Sequence, residues 1–331
     1  MKLHGTPVLI TGAGGFIGSH LTEALVRAGA KTRALVHYNA REDWGHLASL
    51  PADVLQEVEV VAGDVRDRVV VRDAVRGRQV VFHLAALIGI PYSYRAAQSY
   101  VDTNVHGTLS VLEACRECGV ERLVHTSTSE VYGTAQYTPI DERHPLHAQS
   151  PYAATKVAAD QLAYSFFATF GLPVVTVRPF NTYGPRQSTR AVIPTIITQA
   201  LAGGGIALGS RKPVRDFLFV ADTAAGFLAA AEASSRNLLG EVINLGTGKG
   251  VTVGEVVDLV GRLVHRRLSV RTDKARYRPD KSEVQRLICD AGKARRLTQW
   301  RPRTRLEAGL QCTLDWIEAH RDQYRSDRYT I

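Results

Sequence analysis

Pro7-Val8-Leu9-Ile10-Thr11 is a short apolar run without polar alternation, and Gly12-Ala13-Gly14-Gly15-Phe16-Ile17-Gly18 follows it at once. A run of that length bounded by glycine reads as a strand buried on both faces, which belongs in a parallel sheet. Gly12, Gly15 and Gly18 then allow a tight turn, a close approach of backbone to a pyrophosphate, and packing of the next helix on the strand. The helix predicted over residues 19–28 offers free N–H groups and the positive end of its dipole to an anion. Strand, glycine loop and helix together commit the chain to strands alternating with helices around an open sheet, with a phosphate site at the first turn.

The later segments continue that alternation. Thr32-Arg33-Ala34-Leu35-Val36 is a second strand, and the place beyond it where an acid commonly holds ribose hydroxyls carries His37-Tyr38-Asn39 instead. Arg41 close by would equally suit a 2′-phosphate, so NAD and NADP both stay open. A third strand over 58–65 ends in Asp64 and Val65, where the carboxylate suits an adenine amino group or serves as a plain loop acid. Val80-Val81-Phe82-His83-Leu84-Ala85-Ala86 is a fourth, whose small terminal residues would let a cofactor lie on the backbone. Residues 87–94, which include Ser93, are unusually apolar for a loop and cover either a sugar or the core. A helix over 99–118 carries Asn104 and stops at Gly119. Arg122-Leu123-Val124-His125-Thr126-Ser127 delivers Thr128, Ser129 and Glu130 to the carboxyl edge of the sheet, where ligands of such sheets sit. A sixth strand over 173–178 runs into the rigid turn 179–185, and 241–246 returns as a further strand. The reading is an α/β Rossmann fold, doubly wound, with a nucleotide-binding domain over 1–180 and a mainly substrate-binding lobe over 181–331 that interleaves with it.

Tyr152 and Lys156 stand four residues apart on a predicted helix, so both lie on one face. A free tyrosine hydroxyl has a pKa of about 10, and a neighbouring cation pulls it down. Such a pair can move a proton at a sugar hydroxyl.

A formal charge of +9 raises the question of nucleic acid, but few aromatics interleave with the basic residues of 262–305 to stack bases. Anionic small ligands account for it better. No apolar run approaches the roughly 20 residues that cross a bilayer, and the N-terminus carries no secretory pattern, so the cytoplasm is expected. Cys115 and Cys118 form a C-x-x-C inside a predicted helix without a second pair at zinc spacing, and no metal is expected.

With Gly12, Gly15, Gly18, Thr128, Tyr152 and Lys156 in this order, the chain resembles the extended short-chain dehydrogenase/reductase family that modifies nucleotide sugars, over essentially its whole length. Asp64-Val65, His83-Leu84-Ala85-Ala86, 178–185, Arg215-Asp216-Phe217 and Arg278-Pro279 add to the likeness. Within the family it looks most like the NAD-dependent 4,6-dehydratases of the legionaminic-acid type, which act on UDP- or GDP-N-acetylglucosamine. Leu35-Val36-His37-Tyr38-Asn39, residues 86–94 and residues 127–137 carry that closer likeness. The resemblance implies a cofactor held by Gly12, Gly15, Phe16, Ile17, Gly18, His37, Asn39, Asp64, Val65, Leu84, Ala85, Ala86, Asn104, Tyr152 and Lys156. It implies a nucleotide sugar held by Ser93, Thr128, Asn181, Arg190, Val192, Arg215 and Arg278, with Arg186 a further candidate, and a homodimer through helices 99–118 and 152–170. It also implies a cycle in which Tyr152 takes the proton of the sugar 4-hydroxyl, Thr128 steadies that oxygen, and Lys156 anchors the ribose and lowers the tyrosine pKa. Glu130 then removes the C5 proton, water leaves from C6, and the hydride returns there. Ser129 stands where related glucose dehydratases have an acidic aspartate. Thr-Ser-Glu is also the pattern of UDP-glucuronate decarboxylases, and a 4-epimerase would need no Glu130. A non-enzymatic nucleotide sensor predicts a damaged Tyr/Lys pair, and here both members are intact.

Overall fold

The computed structural model describes residues 2–234 and 236–324. Its strands β1 (Pro7–Thr11), β2 (Lys31–His37), β3 (Val58–Gly63), β4 (Val80–His83), β5 (Arg122–Thr126), β6 (Val174–Pro179) and β7 (Val242–Leu245) form one sheet. They run in the order β7-β6-β5-β4-β1-β2-β3, and every pairing is parallel. The helices that position the site are α1 (Phe16–Arg27), α2 (Arg68–Val75), α3 (Gly107–Glu117), α4 (Pro151–Phe170), α5 (Val192–Leu201), α6 (Val220–Glu232), α7 (Val253–Leu263) and α8 (Leu306–Ala319).

Side chains of a strand point alternately to the two faces of its sheet, and here both faces are dry. Val8, Ile10, Val80, Phe82, Val124, Val175 and Val177 enter one apolar layer with Leu21 and Leu25 of α1 and Phe227 and Ala230 of α6. Their neighbours Leu9, Val81, Leu123 and Val174 enter the other, with residues of α2, α3 and α4. That two-sided burial is why the strands read as continuous apolar runs.

Local sequence sets the element ends. Helix α1 starts at Phe16, earlier than the predicted 19, because Gly15 takes the extended N-cap conformation inside the glycine loop. Helix α4 starts where the Ser150 hydroxyl accepts from the Ala153 N–H at 3.1 Å, with Pro151 in its first turn. It stops at Gly171, whose φ of 69° is left-handed. The helix expected over 99–118 is interrupted by a wider π-type turn over Val101–His106, which places Asn104 inside, 1% exposed.

Beyond β6 the chain builds a smaller lobe in which Ile193, Ile196, Val256, Val260, Leu310 and Leu314 bring α5, α7 and α8 together. The chain then returns: β7 lies beside β6, and α6 packs on α1. Among the described residues, no helix is long and apolar enough to cross a membrane.

Arg186 ties the small lobe to the large one. Its Nη2 donates to Glu23 Oε2 on α1 at 3.0 Å, and its guanidinium lies 5.5 Å from the ring centroid of Trp316 on α8. Burial, and then the Arg186 charge, lower the pKa of His20 to about 4, so this imidazole is neutral and donates Nε2–H to the Pro185 carbonyl at 2.9 Å. Arg186→Ala should therefore cost about 1–3 kcal/mol of stability in urea denaturation. An unchanged midpoint would show that the tie carries no load.

Candidate active site

β1 and β4 are neighbours whose onward connections leave to opposite sides, so their carboxyl ends open a crevice. The crevice floor is a closed set of hydrogen bonds. The Thr108 hydroxyl donates to the Asn104 carbonyl at 2.6 Å, so it accepts from His83 Nε2 at 3.0 Å. That fixes the proton on Nε2 and leaves Nδ1 to accept from the Thr11 hydroxyl at 2.8 Å. Thr11 in turn accepts from the N–H groups of Leu84 and Ala85 at 3.2 and 3.1 Å. Burial holds His83 well below the usual histidine pKa, and the ring stays neutral.

The glycine loop lies flat against this floor. A Cβ on Gly12, where φ is 71°, would come 2.7 Å from the Ala85 nitrogen, and one on Gly18 would strike the Gly12 carbonyl. A cavity of about 790 Å³ opens above, walled by Gly12, Gly15, Phe16, Ile17 and Gly18 on one side and Leu84, Ala85 and Ala86 on the other. This glycine-walled cradle, free of intruding side chains, fits a dinucleotide.

At the middle of the cavity the ends of β5 and α4 meet. Thr128, Ser129, Glu130, Tyr152 and Lys156 all line it. The Thr128 hydroxyl accepts from the Glu130 N–H at 3.2 Å, capping the short turn Ser129–Tyr132, and the Tyr152 phenol is hydrogen-bonded to Thr128. Tyr152 packs against Ile90, and its ring meets Tyr100 edge-on at 6.3 Å. The expected lowering of the tyrosine pKa is not what this structure shows. Burial raises it, and Glu130 adds to the rise. Lys156 is turned to the strand instead, donating to the Thr126 carbonyl at 2.6 Å, and burial lowers it to about 8 against the pull of Asp160.

Asp160 is one helical turn beyond Lys156, on the same face. Its Oδ2 accepts from Arg178 Nε and Nη2 at 3.1 and 2.8 Å and from the Ser127 hydroxyl at 2.7 Å, while Oδ1 accepts from His125 Nε2 at 3.2 Å. One carboxylate thus joins α4 to β5 and β6 beneath Tyr152 and Lys156.

The far end of the cavity is lined by Asn181, Arg190, Val192, Arg215, Arg276, Arg278 and Glu283. Burial lowers the Arg215 pKa and Arg278 adds to the fall, while Glu130 and Glu283 oppose it, the latter through an ion pair at 3.2 Å. Among the described residues, Asn181 Oδ1 and Arg278 Nη1 are buried polar atoms without a protein partner, which is what a site awaiting a polar ligand looks like. The concentration of guanidinium groups suits a diphosphate.

Several expected contacts lie off the cavity wall. Asp64 is paired with Arg66 at 2.5 Å, and Val65 packs in the second apolar layer. Ser93 is fully buried and donates to the Ile90 carbonyl at 2.7 Å. Asn104 supports the wall: it accepts from the Leu87 N–H at 2.8 Å and donates to the Leu87 carbonyl at 2.9 Å and to Thr155 at 3.0 Å. Arg186 serves the lobe tie, unlike Arg190. In the apolar loop, Ile88 to Pro91 line the cavity and Ile90 is buried. His37 and Asn39 line it, and so do Asp43, Trp44, Arg276 and Glu283, which sequence reasoning missed. Arg276 ends one single-turn 3-10 helix and Glu283 caps another, both too short to carry a periodic signal. For Asp43 the available signal was Asn39, since an asparagine side chain readily bonds nearby backbone and closes a turn.

Comparison with known proteins gives a consistent picture. Residues 9–313 match the family model described as GDP-mannose 4,6 dehydratase. The dTDP-glucose 4,6-dehydratase of Actinoplanes sp. is 32% identical over 325 residues, covering 95% of this chain and 98% of that protein. The crystal structure of DesIV, a dTDP-glucose 4,6-dehydratase from Streptomyces venezuelae with NAD and TYD bound, superposes with a TM-score of 0.87 at 30% identity, covering 96% of this chain and 99% of that one. UDP-glucuronic acid 4-epimerase from Bacillus cereus, in complex with UDP-glucuronic acid and NAD, gives 0.85 at 28% identity over 95% and 99%.

Burial alone would raise the Asp160 carboxyl; the His125 hydrogen bond and the charge of Arg178 overcome it and hold the group at about 2, against 3.8 for a free aspartate. A carboxyl depressed by folding stabilises above its unfolded pKa and loses that contribution as pH falls through the folded one. Asp160→Asn should cost about 3–5 kcal/mol at neutral pH, and the variant should lack this group's loss of stability between about pH 4 and pH 2. Urea titrations across that range check both, and a wild-type-like acid profile in the variant would refute the assignment.

Proposed function

The chain belongs to the GDP-mannose 4,6 dehydratase family of extended short-chain dehydrogenases, and from that premise we propose that it is an NAD-dependent 4,6-dehydratase of a nucleotide-linked hexosamine, with UDP-N-acetylglucosamine the first substrate to try. The observation that carries the reading is the Glu130 carboxylate on the same cavity wall as Thr128 and Tyr152. A 4-epimerase, such as the Bacillus cereus neighbour, has no use for a base at C5, whereas a dehydratase requires one.

Bound NAD supplies a hydride acceptor that is refilled and emptied within each turnover. Gly12, Gly15 and Gly18 would give it a backbone-lined bed, and Lys156, turning from the Thr126 carbonyl, would meet its ribose. Tyr152 takes the proton from the sugar 4-hydroxyl while Thr128 holds that oxygen. The buried phenol gives up its own proton reluctantly, so a cation beside it in the loaded enzyme is what makes it a base. The resulting 4-ketone acidifies the C5–H bond, and Glu130 takes that proton. Two protons are then held, at Tyr152 and Glu130, and two are needed, one for the departing C6 hydroxyl to leave as water and one for C5 when hydride arrives at C6. Ser129 is too weak an acid to supply the first, and Glu130 is the carboxylate placed to do it. Arg215 and Arg278 with Asn181 hold the diphosphate, and Arg190 and Val192 border the nucleotide. The same reading makes the protein a homodimer across α3 and α4, where Tyr164 and Phe170 stand exposed.

Substrate carrying deuterium at C4 separates the alternatives in ordinary water. A dehydratase loses one water of mass and carries the deuterium to C6; an epimerase restores it to C4 with no change of mass; consumption of UDP-glucuronate alone, with carbon dioxide released, would replace the proposal with a decarboxylase. Tyr152→Phe should lower turnover by about a hundred- to ten-thousandfold with nucleotide binding nearly intact. Glu130→Gln should still oxidise C4 and so accumulate reduced cofactor, visible by its near-ultraviolet absorbance, while elimination stalls. Formation of the 6-deoxy-4-keto product at the wild-type rate by that variant would remove Glu130 from the mechanism.

A further inference from the structure

Strand β2 ends at His37, and Tyr38 and Asn39 bring no carboxylate to the position where such sheets commonly hold a ribose. The chain next makes a loop that doubles back, and Asn39 closes it. Its Oδ1 accepts from the N–H groups of Arg41 and Asp43, both at 3.1 Å, and its Nδ2 donates to the Asp43 carbonyl at 2.8 Å. Asp43 Oδ1 accepts from the Gly45 N–H at 2.7 Å, which orients the carboxylate. The returning limb rests on the glycine loop: His46 N–H donates to the Gly14 carbonyl at 2.9 Å, and a Cβ on Gly14 would lie 2.6 Å from the Trp44 carbonyl oxygen.

Held from both sides, Asp43 lines the cavity next to Val36, His37 and Asn39. Arg41 is exposed and does not line it. Among the described residues, the acidic side chains on the cavity wall are Asp43, Glu130 and Glu283. Glu130 adjoins the Tyr152 end and Glu283 is bound to Arg215, which leaves Asp43 as the acid of the glycine-walled end. Its Oδ2 has no hydrogen bond from the protein among the described residues.

We infer that Asp43, six residues beyond the end of β2, is the residue that receives the adenosine ribose hydroxyls and selects NAD over NADP. The inference rests on the reading of this cavity as an NAD site. An ionised carboxylate only accepts, so it pairs with hydroxyl groups that donate; a 2′-phosphate in their place would set two anions face to face. The exposed side chain can meet the ribose without any rearrangement of the core.

The test uses the full-length protein, dialysed free of nucleotide and titrated with NAD and with NADP by calorimetry, with Trp44 emission as a second readout. Asp43→Asn keeps an acceptor for the Gly45 N–H and removes only the charge. It should bind NAD about ten- to a hundredfold more weakly, the range for losing hydrogen bonds to a charged group, while NADP binding holds or improves and the wild-type preference for NAD disappears. Arg41→Ala should alter neither affinity. The inference is overturned if Asp43→Asn binds NAD as the wild type does, if it loses both nucleotides equally, or if the wild type prefers NADP and Arg41→Ala abolishes that preference. A wild type that binds neither nucleotide would overturn the cofactor reading beneath it, whereas tight NAD binding indifferent to Asp43 would overturn this inference alone.

Discussion

The site depends on one buried carboxylate. Asp160 accepts hydrogen bonds from Arg178, Ser127 and His125, so it joins two adjacent strands to the helix that carries Tyr152 and Lys156. A lone charge at that depth would be prohibitive, and each partner offsets part of the cost of taking it from water. What the arrangement secures is register. If α4 rotated or slid along β5, Asp160 would lose its donors and Lys156 would lose the Thr126 carbonyl, so the helix has one low-energy seat. The network continues outward, since Arg178 Nη1 also donates to the Tyr132 hydroxyl at 3.0 Å, which donates to Asn244 on β7 at 2.7 Å.

Much of this was legible in the sequence because it follows from local chemistry. Apolar runs gave the strands, and the three glycines gave the first turn. The i, i+4 pair of Tyr152 and Lys156 reached the cavity as its spacing required. The failures have a common physical origin. Asp64 and Asn104 each sit on the right element, but Asp64 was captured by Arg66, and the π-type turn spent Asn104 on the Leu87 backbone. Arg276 and Glu283 arrive from a segment whose path is set by the packing of the small lobe. The tyrosine pKa went the other way because burial of the phenol dominates it, with Glu130 adding to the rise, and spacing along a helix reports only which residues share a face, not how deeply they are buried.

The positive charge of the chain has two destinations that composition cannot separate. Arg215 and Arg278 face the cavity with few protein partners, whereas Arg178 and Arg186 are consumed in holding elements together. Relative exposure alone would rank them alike, since Arg178, Arg186 and Arg215 are all 6% exposed or less. Only the identity of the partner, a carboxylate in the core or an open cavity, distinguishes a structural guanidinium from one available to a ligand.

The return of β7 to the main sheet has a consequence for how such a chain is inherited. A protein cut after β6 would leave that strand as a bare edge and strip α6 from the apolar surface of α1. The large and small lobes are therefore not cassettes. Neither can be exchanged, duplicated or shed without the other, so new substrate preferences have to be reached by residue-by-residue change in the loops that border the cavity, with the wound sheet passed on intact.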